Sequence, residues 1–166
     1  GLYLDSLSLL MAFIIGVIGS GICVYALCYM EDFQAHEPEG AKDRRPTFFA
    51  LMFVFLAAMF LIVFSNNMLW LFTGWEITTV CSFLLIGFTR TEEAIKNAFR
   101  QIIMNLLGGI AFLAALYVMA IQFNTLSFLE FLQIGIANPG MVVLPVTALA
   151  FAGLTKAAQM PFHTWL

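Results

Sequence analysis

Two ionisable side chains fall where the sequence is otherwise apolar. Glu76 lies within the run Met68 to Phe88, and Lys156 within a run that begins near Met141. At a bilayer centre an ionisable residue costs at least about 2.5–3.5 kcal/mol, even on lenient insertion scales. Burial there disfavours the charged form of any unpaired group, so an acid and a base on neighbouring helices are natural partners. Such groups can carry a proton or a cation across the apolar layer. The bland alternative is an inert ion pair that holds two helices in register, although apolar packing often serves as well. Acids and bases inside a membrane are functional candidates by default, which favours transport.

The surroundings of Lys156 add to this. In Gly153-Leu154-Thr155-Lys156-Ala157-Ala158-Gln159-Met160-Pro161 a proline follows the lysine by five residues. Pro161 cannot donate to the Ala157 carbonyl, and its ring clashes there, so a kink or break is expected. Freed carbonyls, with Thr155 and Gln159 nearby, would hold water beside the lysine, as broken helices do in transporters. His163 follows the break, placed either to relay a proton or to hydrogen-bond at an interface. Asn105, near Gly108-Gly109, lines a polar path or bonds a neighbour, and the second reading is preferred. Asp5 and Glu130 belong near the outer surface, and His36 in a hydrophilic loop. Trp70 suits an interface anchor, whereas Trp75 beside Glu76 is deep for that role.

The composition identifies the medium. Of 166 residues, 62% are hydrophobic and 10% charged, with mean hydropathy +0.96. Soluble domains carry about 25% charged residues, so a water-soluble monomer could not cover this surface. The net charge of −3, with no basic patch, gives no sign of nucleic-acid binding. Cys23, Cys28 and Cys81 lack metal-ligand spacing and imply neither a metal site nor a disulfide framework. No flavin, nucleotide or iron–sulfur motif occurs, so no cofactor is expected. The chain opens on Gly1 without a signal-peptide pattern and reads as a piece of a larger subunit.

Spanning a bilayer takes roughly 20 apolar residues as helix, and five runs qualify. They cover about Leu7 to Met30, Pro46 to Phe64, Met68 to Phe88, Gln101 to Phe123, and Met141 to beyond Lys156. Gly16, Gly19 and Gly21 would let another helix approach the first closely. Lys42, Arg44 and Arg45 fall between the first two runs; Arg90, Lys96 and Arg100 fall between the third and fourth. The alternate connections, Asn66-Asn67 and Asn124 to Gly140, carry no Lys or Arg, so the basic loops should face the cytoplasm or matrix. Glu76 then lies about 12 Å into its helix and Lys156 about 22 Å into its own, counted from the same side at 1.5 Å per residue. Both depths fall near the middle third of a core about 30 Å thick.

At these residues the sequence resembles a known family. Asn66-Asn67-Met68-Leu69-Trp70-Leu71-Phe72-Thr73-Gly74-Trp75-Glu76, with Cys81-Ser82-Phe83-Leu84-Leu85-Ile86-Gly87-Phe88, is similar to the fifth-helix signature of antiporter-like subunits. Lys156 to Leu166 resembles the family's broken seventh helix. Asp5 to Met11, Tyr29-Met30 and Phe48 to Met52 are similar to its third and fourth helices. The family includes proton-pumping subunits of respiratory complex I, Mrp-type cation/proton antiporters, and membrane subunits of energy-converting hydrogenases and formate hydrogenlyases. The overall likeness is greatest to the L-type subunit of NADH:quinone oxidoreductase and mitochondrial subunit 5.

The resemblance implies an all-α, polytopic transmembrane bundle, part of an inverted-repeat subunit with a broken helix. Residues 1–30 would be the family's third helix, 31–45 a cytoplasmic-side loop, and 46–166 helices four to seven of an incomplete first repeat. Glu76 and Lys156 would form the glutamate–lysine pair of the first half-channel. Some members carry an acidic residue in the sixth helix, where this sequence reads Met104-Asn105-Leu106-Leu107-Gly108. The implied function is proton, or sodium, translocation within a complex I-like or membrane hydrogenase assembly. The implied partners are other membrane subunits, and the implied location is a prokaryotic inner membrane, with the mitochondrial inner membrane as the lesser alternative. A secondary antiporter without a redox partner and a structural membrane scaffold are the alternatives.

Overall fold

The computed structural model describes residues 2–37 and 42–165. The middle of the expected loop (38–41), Gly1 and Leu166 lie outside the described residues. The chain forms helices α1 (Ser6–Ala35), α2 (Arg45–Phe64), α3 (Met68–Ile86), α4 (Glu92–Gln122), α5 (Phe128–Ala137) and α6 (Val143–Lys156). Short 3-10 turns occupy Gly87–Thr89 and Pro139–Met141. Among the described residues there is no strand beyond two isolated bridges, Leu2 with Ser65 and Asn67 with Ser127. The architecture is therefore the expected all-α membrane bundle.

Polar residues start most of these helices by satisfying the first free backbone N–H groups. Asp5 and Ser8 form a reciprocal capping box at α1, and Asn67 accepts from the N–H groups of Leu69 and Trp70 at α3. Thr91 caps α4, and Glu92 and Glu93 in its first turn face the positive end of the helix dipole. Pro46 stands in the first turn of α2, where its missing donor costs nothing.

Several boundaries differ from the hydropathy reading. Helix α1 runs through Glu31–Ala35, five residues into the segment expected to be loop, because nothing before Pro38 interrupts it. Helix α4 begins at Glu92, nine residues before the apolar run at Gln101, since the Thr91 cap and not hydropathy fixes its start. Among the described residues four helices, α1 to α4, are long and apolar enough to cross a membrane. The fifth run is shorter than expected: α6 has 14 residues, about 21 Å of helix, which does not span a core of about 30 Å.

The two ends of the bundle are chemically distinct. Arg44, at the start of α2, donates to the Phe88 carbonyl and lies 4.3 Å from the Phe88 ring centroid. That contact places the α1–α2 and α3–α4 connections, with their basic residues, at one end. At the other, Tyr3 N–H donates to Phe64 O, Met68 N–H to Leu126 O and Phe128 N–H to Asn66 O. The charge asymmetry of the sequence thus corresponds to an asymmetry of the fold.

Helices pack α1 on α2, α2 on α3, α3 on α4, and α4 on α6. Of the three clustered glycines of α1, only Gly19 meets a neighbour, the Leu56 side chain of α2; a Cβ at Gly16 or Gly21 would meet nothing within 4 Å. The expectation of close approach is corrected to that one position. The main apolar core joins α3 to α6 through Met68, Phe112, Leu116, Met119, Phe131, Val142 and Ala152.

Candidate functional site

Small residues bring the helices that carry Glu76 and Lys156 together. On α4, Gly108 lies against Thr155 and Ala152 of α6, both fully buried. One position on, Gly109 lies against Glu76 of α3: a Cβ built there would stand 2.8 Å from Glu76 Oε1. Gly74 meets Ile62 and the Ala58 carbonyl of α2 in the same way. Backbone approach of this kind is how membrane helices gain packing energy without a hydrophobic driving force between them.

Lys156 is the last residue of α6. Its ammonium is half-buried and crosses to α3, donating to the Trp75 carbonyl at 3.0 Å and to Thr79 Oγ1 at 2.6 Å. It also lies 5.3 Å from the Trp75 ring centroid, a cation–π arrangement. The Trp75 ring packs in turn on Phe112 of α4, centroid to centroid 5.5 Å, so the indole is a wall of the site and not an interface anchor. Among the described residues the ion pairs are His36–Asp32, Arg44–Glu37 and Arg45–Asp43. Glu76 and Lys156 form none within 4.0 Å. The lysine instead reaches the turn of α3 that carries Glu76, at the residue before it and the residue three after it.

The break after Lys156 arises differently from the expectation. Ala157 N–H closes on Gly153 O, Ala158 N–H on Thr155 O, and Gln159 N–H on Leu154 O. Ala158 has φ of +50°. This is a Schellman-type closure with a left-handed alanine where glycine is usual. The helix therefore stops at Lys156, before Pro161 could act, and the proline only prevents it from resuming. Among the described residues no backbone N–H donates to the carbonyl of Lys156 or Ala157, so both acceptors are left for water at the helix break. The Lys156 charge also faces the negative end of its own helix dipole.

The other residues selected from the sequence are less involved. His163 is exposed on this chain and makes no hydrogen bond to a described residue. Asn105 is buried and its Nδ2 donates to the Gln101 carbonyl, one turn earlier on α4, at 2.9 Å. Cys23, Cys28 and Cys81 are unpaired thiols, and no cluster of three His, Cys, Asp or Glu residues occurs among the described residues. Sequence reasoning missed Thr79 and Gln101. Thr79 is 3% and Gln101 1% exposed, and Gln101 Nε2 donates to the Thr79 carbonyl at 3.5 Å. Thr79 stands one turn after Trp75 on α3, a spacing that could have flagged it.

This geometry occurs in a chain with clear relatives. Residues 65–166 match the family model described as NADH:quinone oxidoreductase/Mrp antiporter, TM. Residues 1–39 match that of NADH-Ubiquinone oxidoreductase (complex I), chain 5 N-terminus. The chain is 33% identical over 168 residues to NADH-quinone oxidoreductase subunit L of Campylobacter jejuni, covering 100% of this chain and 27% of that protein. It is 31% identical over 168 residues to Na(+)/H(+) antiporter subunit A1 of Staphylococcus aureus, covering 99% of this chain and 20% of that protein. It thus spans between about a fifth and about a quarter of the length of the relatives it matches. With its larger match taking in α3 to α6 and every residue of the site, the chain belongs to the NADH:quinone oxidoreductase/Mrp antiporter transmembrane family.

Proposed function

We propose that this chain forms the first half-channel of an antiporter-like subunit that moves protons across a prokaryotic inner membrane. The observation that carries the reading is the seat of Lys156: a half-buried ammonium bound to Trp75 O and Thr79 Oγ1, on the same turn of α3 as Glu76. The chemistry is electrostatic. With an ionised Glu76 close by, the Lys156 ammonium is stabilised. When the two move apart, the cost of keeping a charge out of water dominates, and the proton leaves toward the free carbonyls at the helix break. Both relatives are named as subunits and come from bacteria, which supports a multi-subunit membrane assembly with any redox chemistry in other chains.

A second reading, sodium/proton exchange without a redox partner, is favoured by the printed name of the Staphylococcus aureus relative. The test uses the full-length subunit in its native complex, reconstituted in liposomes. Lys156→Ala and Glu76→Gln abolish proton transport while the complex still assembles. Full transport in both variants would leave a scaffold role only, and transport that requires sodium in the absence of an electron donor would favour the second reading.

A further inference from the structure

A column of unpartnered acceptors borders the site. Gln101 and Asn105 are each 1% exposed, and Gln101 Oε1, Asn105 Oδ1 and Glu76 Oε1 are buried without a hydrogen-bond partner among the described residues. The orientation of both amides is fixed by what their nitrogens face. Gln101 Nε2 donates to the Thr79 carbonyl and Asn105 Nδ2 to the Gln101 carbonyl. A flipped amide would set oxygen against oxygen in each case. Gln101, Asn105 and Gly109 follow one another at intervals of four on one face of α4, with a rise of about 6 Å per interval. Gly109 borders Glu76, and Gln101 borders Thr79, the residue that holds Lys156. The column thus starts at the carboxylate, passes the lysine's anchor and points toward the α4 end that carries Lys96 and the Thr91 cap.

Buried polar atoms in native proteins are almost always paired, and an unpaired one calls for water, an ion or a function. These three atoms are acceptors, whereas Trp75 Nε1 in the wall of the site is a buried donor without a partner among the described residues. The complement must therefore both donate and accept, as water does. Neutral amides orient such an occupant without binding a proton themselves, and so cannot trap it. We propose that Gln101 and Asn105 are positioning residues of the transport path. Their amide oxygens, with Glu76 Oε1, hold a file of water through which Lys156 exchanges its proton with the basic-loop end of the bundle. In that exchange the Nζ–H bond breaks and its electron pair stays on nitrogen. The proton joins the nearest water, and the last water of the file releases one to the aqueous side.

This inference rests on the Lys156 reading above, and the experiment separates the two. In the reconstituted native complex, Gln101→Leu and Asn105→Leu keep the volume but remove the acceptors. Each is expected to slow proton transport about tenfold, the weight of one hydrogen bond in a charged path. Asn105→Ser, which leaves a hydroxyl and room for water, restores most of the rate. Difference infrared spectra in normal and ¹⁸O-labelled water are expected to show buried water bands that both leucine variants lose. Wild-type transport in assembled leucine variants, a spectrum without those bands, or a loss reversed by added sodium would each overturn the water file. Should Lys156→Ala also transport fully, the site itself fails; should it alone be inactive, only the file does.

Discussion

The ammonium of Lys156 is bound by Thr79, 2.6 Å from its hydroxyl, and not by the carboxylate of Glu76. Thr79 Oγ1 donates to the Trp75 carbonyl at 3.1 Å, which turns its lone pairs outward to receive the lysine. Thr79→Val keeps the β-branched shape and removes both roles. A hydrogen bond to a charged group contributes about 1.5–3 kcal/mol, so proton transport should fall roughly 10- to 100-fold. Thr79→Ser should recover most of it. Proton uptake by liposomes containing the assembled complex measures both.

Two adjacent glycines of α4 should respond differently to the same added methyl. At Gly109 the new Cβ meets the end of the Glu76 side chain, which is flexible and can swing aside. Gly109→Ala should therefore leave stability within about 0.5 kcal/mol while moving the carboxylate and slowing transport. At Gly108 the Cβ meets Thr155, fully buried and β-branched, with the Ala152 backbone behind it. Gly108→Ala should overpack the α4–α6 seam and cost about 1–3 kcal/mol. Thermal unfolding of the solubilised subunit separates the two outcomes, with Gly108→Ala melting earlier and Gly109→Ala unchanged.

How much of this was legible in the sequence depends on which force set each feature. The apolar runs located α1 to α4, because burial of apolar length is what hydropathy records. The helix ends were set by other means. Thr91 starts α4 in polar sequence, and the α6 terminus rests on the left-handed Ala158, for which alanine gives no compositional signal. Glu76 and Lys156 were visible as charges in the wrong solvent. Their actual contacts were not, since a lysine's long side chain can choose among several partners on the facing turn. Thr79 reads as an ordinary helical threonine, and Gln101 as the first residue of a membrane span, until the packing of α3 on α4 places one against the other. The amide pair at 101 and 105, one turn apart and followed by Gly108-Gly109, was the available clue.

The α1 cap should make the outer end of that helix sensitive to acid. Ser8 donates from its backbone N–H to Asp5 at 2.7 Å and donates from its hydroxyl to the Asp5 carbonyl. Hydrogen bonding from Ser8, chiefly its backbone, holds the Asp5 carboxyl below the usual carboxylate range. A carboxyl lowered in the folded state stabilises above its unfolded pKa and loses that contribution as pH falls through the folded value. Protection of the Ser8 and Leu9 amides, taken relative to the intrinsic exchange rate at each pH, should therefore be full at neutral pH and fall below about pH 4. In Asp5→Asn, whose amide oxygen caps without titrating, exchange should lose this extra acid sensitivity. Equal acid response in both proteins would remove Asp5 as its source.

Arg44 should be the fastening of the basic end. Its guanidinium donates to the Phe88 carbonyl, faces the Phe88 and Phe33 rings at 4.3 and 5.9 Å, and lies 3.7 Å from the Glu37 carboxylate. Its side chain is 18% exposed, so these contacts are only partly screened by solvent. Arg44→Ala removes a charged hydrogen bond and the ring contacts together, at a cost of about 2–4 kcal/mol. Arg44→Lys retains the charge but not the planar fork that lies flat on an aromatic face, and should recover less than half. Phe88 is nine residues beyond Thr79, about 13 Å along the helix, so Lys156 should keep its seat in both variants. The expected pattern is a lowered melting temperature, lower for alanine than for lysine, with transport per assembled complex unchanged. A transport defect in either variant at full assembly would mean that the loop contact also governs the site.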